Sequence, residues 1–102
     1  GRTAVLGRPY RELDRPLLLD VRETNEFEQG RLPNALHIPL SQLAGRIGEV
    51  KGKHDLPVIV YCASGRRSRM AGATLAKAGF KDIYHLTGGI AAWRGAGLPV
   101  EK

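Results

Sequence analysis

A single cysteine, Cys62, occurs among the 102 residues, so no disulfide can form within the chain and no multi-cysteine zinc cluster can be built. His37, His54 and His85 lie far apart in sequence and show none of the close pairs of common metal motifs, so neither a metal nor a cofactor is expected. The longest unbroken apolar run, Val58 to Ala63, is far short of the roughly 18 residues of a membrane span. No secretory signal pattern opens the chain. A lone, unpaired cysteine suits a reducing setting, and a cytoplasmic location is expected. Aromatic residues are also few, at 6%, and they do not interleave with basic ones in the stripe that reads single-stranded nucleic acid. Positive charge is plentiful instead: the formal net charge is +6 and the pI about 10.0. The arginines run from Arg2 to Arg94 without forming one block, which points to an anionic small ligand rather than to a nucleic acid.

This length makes one domain, large enough for a core without metal or disulfide support. The chain opens on Gly1 rather than Met, as expected of a processed product or of a domain excised from a longer protein. Residues 1–16 read as a polar, basic lead-in with a short extended piece at Ala4–Leu6, and residues 17–102 as the domain itself. Leu17 to Asp20, Leu36 with its neighbours up to Pro39, Val58 to Tyr61 and Ile83 to Leu86 read as short strands. Asn25 with Glu28 fits a capping box for a helix over Glu26 to Gln29 that ends at Gly30. Ser41 is expected to cap a helix reaching about Ile47, and a polar loop to follow from Gly48 to Leu56. Met70, Ala71, Thr74, Leu75 and Ala78 share one face of a helix predicted from Ser68 to Ala78, with Gly79 as its left-handed stop. After a tight turn at Gly88-Gly89, a final helical turn runs from Ile90 to Arg94. Strands alternating with helices predict an α/β fold with a central parallel sheet of about five short strands and helices on both faces.

Cys62 stands immediately after the Val58 to Tyr61 strand, at the carboxyl edge of that sheet, where such folds bind ligands. Ala63, Ser64, Gly65, Arg66 and Arg67 then turn the chain toward a helix. Backbone N–H groups and the helix dipole converge there, and Arg66, Arg67 and Arg69 add full charges. Each effect favours thiolate over thiol, which makes Cys62 a candidate nucleophile in an exposed loop; the competing reading is a buried structural cysteine, the default for a lone Cys in an apolar strand.

Several segments together resemble a single-domain rhodanese. They are Leu19-Asp20-Val21-Arg22-Glu23, Glu26 through Ala35, His37 through Leu40, Val60-Tyr61-Cys62 with the spacing Cys62-x4-Arg67, Ala78-Gly79-Phe80, and Leu86 through Trp93 with Gly97-Leu98-Pro99-Val100. Arg31 stands where that family often has His, and Asn34 where it often has Gly. The resemblance implies a three-layer fold and a sulfurtransferase. A sulfane sulfur would pass from an anionic donor, thiosulfate or a low-molecular-weight persulfide, to Cys62, and then to a thiol or cyanide. Arg66 and Arg67 could attract a dianionic donor and stabilise departing sulfite. The backbone of residues 63–68, Ala63 and Ser68 included, could cradle the sulfur without a general base.

Arg67, a cation at a helix N-terminus, is expected to be stationed for an anionic ligand. Arg66 could contact the ligand or point outward, and Arg69 is read as part of the general field. Ser64 could donate to the sulfur or be a small turn residue. Gly65 is read as serving backbone geometry. Asp20 with Arg22 reads as a structural ion pair or loop anchor, and Trp93, His37 and His85 as structural residues. Two other function classes compete. A phosphatase loop would need Cys-x5-Arg, but Ser68 occupies that position. A non-catalytic interaction or sulfur-carrier domain of a larger protein typically lacks the cysteine in the interaction case. Additional domains in a full-length chain fit the start at Gly1.

Overall fold

The computed structural model describes residues 2–4 and 16–102. Five parallel strands form one sheet in the order β1-β5-β4-β2-β3: β1 Arg2–Ala4, β2 Leu17–Asp20, β3 Leu36–His37, β4 Val58–Tyr61 and β5 Ile83–Leu86. The extended piece expected at Ala4–Leu6 begins earlier, at Arg2, and pairs as β1 with β5; Val5 and Leu6 lie outside the described residues. The register sets Leu17 beside Val58 and Asp20 beside Tyr61, while Val58 and Val60 face Ile83 and His85 across the other edge of β4. β4 is thus the central strand. All four of its residues are buried, as expected of a β-branched and aromatic run covered on both sides.

Alternation along the strands divides the core into two layers. Leu19, Val58, Val60 and Ile83 point to one face, where they meet Leu43 of α2 (Leu40–Arg46) and Ala71 and Leu75 of α3 (Arg66–Lys77). Leu18, Ile59, Tyr61 and Leu86 point to the other, where Leu32 and then Ile90 and Trp93 of α4 (Gly89–Gly95) cover them. Helices therefore flank both faces. The expected architecture holds, and so does the structural reading of Trp93, whose indole N–H donates to the Pro99 carbonyl at 2.7 Å.

Several helix ends differ from the sequence reading, for identifiable reasons. Helix α1 spans Thr24–Gln29, and its cap involves Glu23 and Glu26 instead of Asn25 and Glu28: Glu26, at the third helical position, accepts from the Glu23 N–H at 3.0 Å. α2 starts at Leu40 behind Pro39, so Ser41 lies inside it rather than capping it, and Ile47 opens a separate 3-10 turn. The polar stretch that follows holds 3-10 turns at Ile47–Glu49 and Lys51–Lys53. α3 begins at Arg66, two residues before Ser68, because Gly65 takes the left-handed conformation (φ +115°) that turns the chain into the helix. Asn34 has φ +65°, a conformation asparagine tolerates better than most residues, which explains how it stands where glycine is common.

Candidate active site

Cys62 lies one residue beyond β4, in the middle of the sheet's carboxyl edge. It is not in an exposed loop as the sequence suggested: only 1% of its surface is accessible, and it packs with Val60 and Ala71 in the core. Its sulfur accepts a hydrogen bond from the Gly65 N–H at 3.0 Å. Burial pushes the thiol pKa up. The backbone N–H groups of Ser68, Gly65, Ser64 and Arg67 push it down and together outweigh burial, leaving it below the ordinary value for a thiol. The downward shift expected of the Cys62 thiol is therefore present, and its source is backbone N–H groups rather than arginine charge.

Two helices shape this cradle. Ser68, fully buried, donates its hydroxyl to the Gly65 carbonyl at 2.9 Å, so that side chain ties the loop to α3 and does not face a ligand. From the other side α4 ties down the loop's carbonyls. The Ile90 N–H donates to the Cys62 carbonyl at 3.0 Å and the Ala91 N–H to the Ala63 carbonyl at 3.2 Å. Gly89 makes this approach attainable: a Cβ there would lie 2.3 Å from the Cys62 oxygen and 2.5 Å from that of Ala63. With these carbonyls held away, the N–H groups that follow are free to turn toward the sulfur. Sequence reading took Gly88-Gly89 for a turn and missed this contact, because adjacency to the loop exists only in three dimensions.

The arginines part company. Arg67 is paired with Glu26 of α1, NH1 to Oε1 at 2.7 Å and NH2 to Oε2 at 3.0 Å. The poor placement of a cation at a helix N-terminus thus has a second account beside a stationed ligand contact: the carboxylate offsets it. The Arg67 hydrogen bonds in turn hold the Glu26 carboxyl down at about 2. Arg66 and Arg69 instead face outward on the other flank, where Ser64 and Gly65 also line a cleft. Glu26 was not singled out in the sequence; its only signal was its place in a charged helix. Ala63 lines the Glu26 flank, together with Arg22 and Arg94.

Asp20 and Arg22 form the structural pair expected. The Asp20 carboxylate accepts from the Arg22 backbone N–H at 2.9 Å and from its guanidinium, NH2 to Oδ2 at 2.7 Å. The same NH2 donates to the Gly30 carbonyl at 2.6 Å, which fixes the end of α1 beside the site. His37 Nε2 lies 2.8 Å from the Arg22 carbonyl, and the ring stacks on Phe27, in keeping with a structural role. Among the described residues no cluster of His, Cys, Asp or Glu could hold a metal ion, and no helix is long and apolar enough to cross a membrane.

This arrangement is a buried cysteine whose thiol is shifted down by backbone N–H groups, in a loop flanked by two clefts that hold arginines, and it suits nucleophilic attack on an anionic or sulfur electrophile. The chain is 49% identical over 76% of its length to the uncharacterized protein YqhL of Bacillus subtilis, of which it spans 60%. It is 40% identical over 82% of its length to a protein named Sulfurtransferase in Allochromatium vinosum, of which it spans 77%. The crystal structure of a rhodanese-related protein from Thermoplasma volcanium superposes with a TM-score of 0.88 at 32% identity, covering 99% of this chain and 98% of that one. The family model for the Rhodanese-like domain matches residues 8–96, and the chain belongs to that family.

Proposed function

We propose that this protein is a sulfurtransferase that carries sulfane sulfur as a persulfide on Cys62, taking it from thiosulfate or a low-molecular-weight persulfide and passing it to a thiol or to cyanide. The observation that carries this reading is the Cys62 sulfur held at 3.0 Å from the Gly65 N–H, with the N–H groups of Ser64, Arg67 and Ser68 also favouring its charge. In the first half-reaction the Cys62 thiolate attacks the outer sulfur of thiosulfate. A Cys62–sulfur bond forms, the sulfur–sulfonate bond breaks, and sulfite leaves with the electron pair. The outward-facing Arg66 draws in the dianion, and the N–H groups of residues 64–68 hold the new terminal sulfur. In the second half-reaction a thiolate or cyanide attacks that terminal sulfur and Cys62 leaves as thiolate. No proton has to move at either displacement when the attacking acceptor is a thiolate or cyanide. Ping-pong kinetics follow.

Intact-mass spectrometry tests this directly. Thiosulfate should add one sulfur atom, about 32 mass units, to the wild-type protein and none to Cys62→Ser, and dithiothreitol should remove it. An unchanged mass with thiosulfate and glutathione persulfide alike refutes the reading.

A second reading, that the domain carries or relays sulfur within a larger protein, is favoured by one fact: the chain spans only 60% of its relative YqhL. In that case the persulfide would form equally well, but turnover with free thiols or cyanide would be slow and transfer to a joined or partner domain fast.

A further inference from the structure

On the flank of the loop away from Glu26, a cleft of about 300 Å³ opens between the start of α3 and the end of β5. Arg66, Arg69, His85 and Thr87 line it, and it shares Ser64 and Gly65 with the sulfur cradle. Among the described residues no carboxylate lines it. Among the described residues neither Arg66 nor Arg69 has an acidic partner, in contrast to Arg22, Arg46 and Arg67. His85 is built into its wall: Gly72 of α3 leaves room for the imidazole, since a Cβ there would lie 2.6 Å from the ring. The ring's Nδ1 is buried without a hydrogen-bond partner. The hollow on the opposite flank, lined by Glu26, Arg22 and Arg94, presents an incoming anion with a carboxylate and with an Arg22 already committed to Asp20.

A hollow of this size is at the small end of ligand pockets, which run from about 300 to 1,000 Å³, and it sets the two cations Arg66 and Arg69 against a single large apolar lining residue, Leu86. It fits a carboxylate arm, not a bulky apolar group. Its position beside the cradle means that such an arm would be attached, several bonds away, to a sulfur reaching Cys62. We propose that this cleft is a carboxylate subsite, centred on Arg69 and Arg66, that selects low-molecular-weight thiols and persulfides bearing a carboxylate remote from their sulfur.

The inference rests on the persulfide reading of Cys62. With such a thiol as acceptor, its sulfur forms a bond to the terminal sulfur of the Cys62 persulfide and the bond from Cys62 Sγ breaks. The thiol leaves as a persulfide, Cys62 returns to thiolate, and no net oxidation occurs. The carboxylate held by Arg69 and Arg66 converts an encounter with a mobile thiol into a positioned attack. Arg69 is then a specificity residue and not only a source of general field.

Two measurements on the whole chain test this. In the first, persulfidated protein is discharged by glutathione, which carries two carboxylates, and by neutral 2-mercaptoethanol. Arg69→Gln should lower kcat/KM for glutathione at least five-fold more than for 2-mercaptoethanol, and Arg69→Lys should recover part of the loss. Equal losses for the two acceptors overturn the subsite. The second needs no sulfur transfer: unreactive S-methylglutathione is titrated into the Cys62→Ser protein while backbone amides are followed by NMR. Thr87, Gly88 and Arg69 should shift, with binding weakened about five-fold by Arg69→Gln. Shifts elsewhere, or binding indifferent to Arg69, overturn it. Failure of any donor to form the persulfide, with this binding intact, would refute the proposed function and leave the carboxylate site standing.

Discussion

Two arginine–carboxylate pairs lie on the same side of the loop and differ chiefly in burial. In Asp20–Arg22 the side chains are 0% and 5% exposed; in Glu26–Arg67 they are 30% and 31% exposed. The first satisfies nearly every donor and acceptor it buries, down to the Gly30 carbonyl, and Arg22 also stands 5.7 Å from the Tyr61 ring centroid. Charges so far from water tolerate no missing partner. The second is open to solvent, and screening leaves little of its attraction as folding energy. Its effect is felt by the neighbouring sulfur instead, because it sets the net charge on one flank. Burial thus separates an ion pair that builds the site from one that tunes it.

The sharpest way to break this contrast is to remove one partner of each pair. Asp20→Asn should destabilise the protein by about 3–5 kcal/mol, the range for a buried charge left unpaired, seen as a large drop in the urea midpoint. Glu26→Gln should cost no more than about 1 kcal/mol. Similar losses for the two would show that burial is not what distinguishes them.

A smaller effect concerns the anion. Arg67→Ala leaves Glu26 uncompensated beside the sulfur, so the KM for thiosulfate should rise more than that for an uncharged donor, by several-fold. A charge-assisted contact is worth about 1.5–3 kcal/mol at most, and the Glu26 pairing takes up part of it. Identical changes for both donors would make Arg67 a loop support only.

Smaller again are shifts in Cys62 reactivity. Its pKa from iodoacetamide rates should lie below the usual value of about 8.5 in the wild type. Glu26→Gln should lower it further and Arg67→Ala raise it, each by less than about one pH unit, since solvent screens both charges. Movement in the same direction in both variants would contradict a purely electrostatic influence.

The smallest effect is the pH dependence of the half-buried Glu26–Arg67 pair. The Arg67 hydrogen bonds depress the Glu26 carboxyl from 4.5 to about 2, so its contribution to stability is complete above about pH 4.5 and is lost as pH falls through about 2. The stability difference between wild type and Glu26→Gln should therefore stay constant from pH 5 to 8 and shrink below pH 4.5. Denaturant titrations at these pH values check it, and a difference that grows on acidification would reverse the sign of the argument.

Much of this fold could be read from the residues alone. The β-branched and aromatic run at Val58 to Tyr61 and the apolar run at Leu17 to Leu19 mark strands because both faces of the sheet are covered there. The place of Cys62 just after such a strand, at the carboxyl edge of the sheet, was legible too. Helix starts were less legible, since local chemistry misleads where a distant partner intervenes. The helix was read as opening at Ser68, whereas Arg66 and Arg67 form its first turn, and the Glu26 carboxylate that offsets the cation at Arg67 is 41 residues away in sequence. The burial of Cys62, the docking role of Gly89 and the cleft around Arg69 share this property: each depends on which segments the sheet brings together.

The contact at Gly89 has a reach beyond loop geometry. The Ala63 carbonyl that accepts from the Ala91 N–H belongs to the same peptide plane as the Ser64 N–H that favours the Cys62 thiolate. A hydrogen bond on one end of an amide strengthens the donor at its other end. Through that single plane the final helix polarises the cradle without touching the sulfur, and the charge of the sulfur is dispersed over two helices that meet at one loop. The acidity of Cys62 is in this sense a long-range property of the chain, drawing on residues 27 to 29 positions downstream of it. Loosening α4 from the loop would leave every side chain of the Cys62–Arg67 motif in place and still make the sulfur a poorer anion.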